Sequence, residues 1–89
     1  MHNNSLLAYS SILPTLSERQ RPIVELLLQY AGIAFTDRQI KNELRLDDMN
    51  SVRPRITELC ADNILEEVDQ VYCNTTGRLV RRVRLREFV

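Results

Sequence analysis

The change of hydrophobic period at Asn63 constrains this chain most. Before it, Val52, Ile56, Leu59 and Asn63 fall at i, i+4, i+7 and i+11, along one side of a helix. After it the period becomes that of a strand. Ile64 to Cys73 reads as one strand, Asn74-Thr75-Thr76-Gly77 as a turn, and Arg78 to about Arg86 as a returning strand. Asparagine tolerates the left-handed backbone that ends a helix, so Asn63 suits the junction.

Two further helices are expected upstream. Ser17 caps the first, Glu18 suits the helix dipole, and Ile23, Val24, Leu27, Leu28 and Ala31 form its core-facing stripe. Pro22 places the start of its regular part nearby, and Gly32 is its natural stop. Ile33-Ala34-Phe35 is long enough only for a bridging strand or connector. Thr36 caps the second helix, with Ile40 and Leu44 on its buried side, and the turn Arg45 to Asn50 follows. Asn50 or Ser51 is expected to cap the third helix, whose first turn accommodates Pro54 because amides there have no intrahelical acceptor.

Residues 1–16 read as an N-terminal arm and 17–89 as the domain proper. Within the arm, LLAYSSILPTL (6–16) has no clear period, and Pro14 argues against one continuous helix. Leu6, Leu7, Tyr9, Ile12, Leu13 and Leu16 are more apolar than a solvated tail requires. They are expected either to form a homodimer interface or to fold back and complete a thin core. The fold class is therefore mainly α with a small β-hairpin, an α+β arrangement of three helices and a C-terminal hairpin.

Composition excludes several function classes. Eighty-nine residues with 44% hydrophobic content, two glycines and three prolines indicate one globular domain. No stretch is apolar for long enough to span a bilayer. The start, Met1-His2-Asn3-Asn4-Ser5, has neither a basic segment nor a small-residue cleavage site, so a cytoplasmic location is expected. Two cysteines and one histidine make no zinc set, and Cys60 and Cys73 are expected to be ordinary free thiols. Asp47-Asp48 reads as turn chemistry. With no glycine-rich phosphate loop and no catalytic constellation, no enzyme activity, metal, cofactor or small-molecule substrate is expected.

Net charge is zero, yet it is unevenly spread. Glu58 to Asp69 holds five acids (Glu58, Asp62, Glu66, Glu67, Asp69) and no base. Arg78 to Val89 holds five arginines (Arg78, Arg81, Arg82, Arg84, Arg86) against Glu87 alone. The hairpin is thus the positive pole.

Two short helices joined by a turn, with a hairpin directly after the second, make a helix-turn-helix with a wing. On the segments FTDRQIKNELRL, NSVRPRITELCADNILEEV and NTTGR, the chain resembles the winged helix-turn-helix DNA-binding domains of small bacterial and phage regulators. The resemblance runs from Phe35 to about Leu85. Arg45 and Asn63 stand where many relatives have glycine; Asn63 substitutes easily, whereas Arg45 suggests a longer or differently shaped turn. The resemblance implies double-stranded DNA as partner, in a bacterial or phage-infected cell.

The third helix would then present Asn50, Ser51, Arg53, Arg55 and Thr57 to the major groove. The wing would offer Thr75, Thr76, Arg78, Arg82 and Arg84 to phosphates. Alternation puts Arg82, Arg84 and Arg86 on one face, recurring about every 6.5–7 Å, similar to the phosphate spacing along one strand. Pairing of Glu66 or Glu67 with Arg82 or Arg84 across the hairpin would neutralise part of this surface. The other reading is a protein-interaction module that uses the acidic strip and the 6–16 arm.

Overall fold

Reciprocal side-chain-to-backbone pairs set the starts of the first two helices. The computed structural model describes residues 9–30 and 32–86. Helix α1 runs Gln20–Gln29. In the turn leading into it, the Gln20 amide donates to Ser17 Oγ at 3.2 Å and the Ser17 amide to Gln20 Oε1 at 3.1 Å. Glu18 therefore lies in that turn, ahead of the helix. Strand β1 is Phe35–Thr36 and α2 is Asp37–Glu43. Thr36 and Gln39 form the same kind of box, at 2.9 and 3.1 Å.

The third helix departs from expectation at its start. Asp48, not Asn50 or Ser51, supplies the cap, accepting from the Asn50 amide at 2.9 Å. That cap serves a 3-10 turn, Met49–Ser51, which precedes α3, Arg53–Ala61. Pro54 sits in the first turn of α3, where no donor is missed.

α2 and α3 end alike. Arg45 and Asn63 take left-handed backbone, with φ of 55° and 62°. Leu46 and Ile64 amides reach back to the Lys41 and Leu59 carbonyls at 3.0 Å each, while Arg45 and Asn63 amides bond Asn42 and Cys60 carbonyls. The turn after α2 is therefore the glycine-type turn itself, made with arginine. An arginine held left-handed costs about 1–2 kcal/mol of local energy, which the two satisfied carbonyls offset.

Strands β2, Leu65–Tyr72, and β3, Leu79–Leu85, form the hairpin, and β1 pairs on the other side of β3. All neighbours are antiparallel, giving the order β1-β3-β2 in a small α+β domain. Val83 and Leu85 are buried beneath the helices, as alternation requires. A bulge between Glu67 and Asp69 leaves Val68 without a partner, so Asp69 rather than Val68 opposes Arg82.

One core cluster joins Ile23, Val24, Leu26 and Leu27 of α1 to Ile40, Val52, Ile56, Leu59, Ile64 and Leu65. Leu26 was not expected there. Leu28 and Leu44 pack against it half-buried, and Ala31 lies outside the described residues.

The arm also belongs to this cluster. Residues 9–12 are helical and pass into a 3-10 helix, Leu13–Thr15, with Pro14 in its first turn, so the segment is not one continuous α-helix, as expected. Tyr9 is 1% exposed, and its hydroxyl donates to the carbonyls of Ile64 (3.3 Å) and Arg86. Leu16 is buried, and Ile12 and Leu13 are half-buried against the cluster. The Arg21 guanidinium ties the arm down through the Leu13 and Leu16 carbonyls. Leu6 and Leu7 lie outside the described residues.

Tyr9 thus fastens the start of the described chain to both ends of the hairpin. Tyr9→Phe should lower unfolding free energy by about 0.5–1.5 kcal/mol, and Tyr9→Ala by about 3–5 kcal/mol. Urea denaturation checks both, and equal losses for the two would mean that the hydroxyl, not the ring, carries the whole effect.

Candidate nucleic-acid interface

β3 lies between β1 and β2, so its arginines reach both faces of the sheet, and alternation decides which neighbour each one meets. Arg81 shares the helix-facing side with Val83. Its guanidinium contacts both Asp37 oxygens (3.2–3.3 Å), Thr57 Oγ1 (3.1 Å) and the Arg53 carbonyl (3.5 Å). One side chain therefore fastens the start of α2 and the first turns of α3 to the hairpin.

The opposite side of β3 carries Arg82 and Arg84, and both are paired. Arg82 forms a two-pronged bond with Asp69 at 2.7 and 2.5 Å, and Arg84 meets Glu66 Oε1 at 2.8 Å. The bond from Arg82 holds the Asp69 carboxyl below its ordinary range and raises Arg82 above its own. The neutralisation expected from Glu66 thus takes place, and the bulge substitutes Asp69 for Glu67.

The third-helix residues separate into different surroundings. Arg53 is exposed and has no ion pair among the described residues. Arg55 is half-buried and pairs with Glu58 at 2.9 Å, which also accepts from Gln20 of α1 at 3.0 Å. That occupies Arg55 on the α1 side of the helix. Thr57 is exposed, but its oxygen accepts from Arg81. Asn50 is exposed. Ser51 lies in a different groove, beside Glu18, Arg19 and Pro22 of the α1 start.

At the hairpin tip, Gly77 has φ of 70°, and its amide bonds the Cys73 carbonyl at 2.7 Å. The amides of Thr76 and Thr75 are directed at the Cys73 sulfur. Those bonds, with help from the threonine hydroxyls, pull the thiol down to about 7. Cys73 is free, as expected, and its thiol is more acidic than an ordinary one. Cys60 is also free, and burial pushes its thiol up. Arg78 is exposed, with no acidic partner among the described residues.

These elements enclose a cleft of about 230 Å³ between the start of α2, the start of α3 and the hairpin tip. Arg38, Met49, Arg53, Thr76, Leu79 and Arg81 are among its walls, and Arg78 sits between Thr76 and Leu79. The Asp37 carboxylate within it is engaged by Arg81. Arg38 escaped the sequence reading because it precedes the third helix and no local pattern marks it. Only the packing of α2 beside the hairpin brings it here.

Among the described residues, no three His, Cys, Asp or Glu side chains are grouped to hold a metal ion, and no helix is long and apolar enough to cross a membrane. No protein family, curated protein or solved structure matches the chain.

The two thiols should differ in reactivity because thiolate is the nucleophile. With iodoacetamide at pH 7, Cys73 should be alkylated well ahead of Cys60, its rate rising as pH passes about 7. Peptide mass spectrometry reads both sites. Equal rates would contradict the polarised tip.

Proposed function

We propose that the chain binds double-stranded DNA through the cleft, in the manner of a winged helix-turn-helix, as a small transcriptional regulator or phage accessory factor. One observation carries the reading. Arg38 and Arg53 line one concave surface, Arg78 lies in the hairpin tip between its wall residues Thr76 and Leu79, and none of the three has an acidic partner among the described residues, whereas Arg55, Arg81, Arg82 and Arg84 are each paired with an acid. An array of unpaired guanidiniums around a cleft is what a polyanion selects in a chain of zero net charge. Arg53, in the first turn of α3, and Asn50, in the 3-10 turn before it, enter the major groove, where the Arg53 guanidinium takes a phosphate at the groove edge. Arg78 and Arg38 take phosphates on either side. Arg82 and Arg84 contribute less, since a phosphate must compete with Asp69 and Glu66.

The acidic strip offers less to a basic protein partner. Of its five acids, Glu58, Glu66 and Asp69 already hold arginines of the same chain. Self-association through the arm, if it supplies a second half-site, falls to the residues that the core leaves uncovered, since Tyr9 and Leu16 are buried.

Three phosphate contacts imply a slope of log K against log salt near −2.7, or about a forty-fold loss of affinity between 50 and 200 mM salt. Alanine at Arg38, Arg53 or Arg78 should each lower the slope by about one unit. If Arg53 reads a base, its replacement should also cost about 1–3 kcal/mol on a preferred site relative to random duplex. Asp69→Asn should tighten binding by releasing Arg82. Unchanged slopes in all three alanine variants would remove the cleft from the interface.

A further inference from the structure

A second groove lies beside the first and is lined by different chemistry. Its volume is about 370 Å³, and Arg38, Gln39 and Asn42 of α2 line it together with Tyr72, Asn74 and Arg82 of the hairpin. That volume falls in the range of roughly 300–1,000 Å³ that suits a small organic group. No carboxylate among the described residues lines it. The Gln39 oxygen accepts from the Thr36 amide, which leaves its N–H groups to donate. The side-chain amides of Asn42 and Asn74 have no partner among the described residues.

Tyr72 is the most exposed of the large hydrophobic side chains among the described residues. It is 75% exposed, and Leu79 opposite it is 53% exposed, so the two form an open apolar pair at the hairpin's tip end. The place of Tyr72 fits a planar, partly apolar ligand with hydrogen-bonding edges and a nearby negative charge. A nucleotide has this chemistry. A base inside a duplex does not present its face, because both faces are stacked on neighbours. An unpaired base does, and aromatic side chains stack on such bases with little regard to sequence.

We infer that this groove receives one unpaired nucleotide, its base stacked on Tyr72 and its edge met by the Asn42 and Asn74 amides. Arg38 lines both grooves and joins them, so the preferred ligand is a duplex carrying a bulged or extruded base. The inference rests on the duplex reading above and narrows it to a class of DNA structure.

The test uses the full chain and two DNA hairpins with the same stem. One is fully paired, and the other carries a single bulged 2-aminopurine. The bulged hairpin should bind about ten-fold or more tightly, the size expected of one base stacked on an aromatic ring, and its fluorescence should be quenched. Tyr72→Phe should keep the preference and Tyr72→Ala should abolish it, with salt dependence unchanged. Equal affinity of the unaltered chain for the two hairpins would overturn the groove assignment. So would a Tyr72→Ala chain that keeps the bulge preference but self-associates less, since that places Tyr72 at a protein contact. In both cases, salt-dependent binding of the paired hairpin would leave the duplex reading standing. Salt-independent binding, or none, to either hairpin would fell both readings.

Discussion

The Arg81 guanidinium is the contact on which the candidate interface depends. It reaches Asp37 at the start of α2, and Thr57 and the Arg53 carbonyl on α3, from a position in the middle strand of the sheet. The Asp37 side chain is only 13% exposed, so this pair is better shielded than the other ion pairs. Without it, α2 and the hairpin would still share the core through Ile40 and Val83, but the distance between the hairpin tip and the helix starts would lose its main polar tie. The cleft is the space that this tie holds open.

The charges on the sheet then divide by face. On the helix-facing side an arginine acts as a fastener, and on the other side two arginines are met by acids of the neighbouring strand. Around the cleft, Arg38 of α2, Arg53 of α3 and Arg78 of the hairpin turn have no acidic partner among the described residues. A chain of zero net charge can therefore present a local positive surface without a basic composition.

Much of this arrangement was legible in the sequence because its causes are local. Thr36 with Gln39 marks a helix start, Asn63 marks a helix end, and the alternation of Val83 and Leu85 with Arg82 and Arg84 separates buried from exposed faces. What escaped depends on partners far along the chain or on a single irregularity. Arg45 was expected to alter its turn, yet it adopts the left-handed conformation itself. The bulge at Val68 decides that Asp69 meets Arg82, and bulges leave no strong mark in composition. Arg55 is drawn to Glu58 and so toward Gln20 of α1, and Ser51 is turned toward the start of α1. The Arg55–Glu58 pair is an i,i+3 contact within α3, whereas the Glu58–Gln20 link and the Ser51 placement follow from helix packing.

The most direct measurement is titration of a short DNA duplex into the isotopically labelled chain, followed by amide and arginine side-chain NMR shifts. The account predicts salt-sensitive changes at Arg38, at Met49 to Arg53 and at Cys73 to Leu79, with little change along α1 or at Glu66 and Asp69. Shifts concentrated on α1, or on the acid-paired face of β3 with the cleft unperturbed, would contradict it.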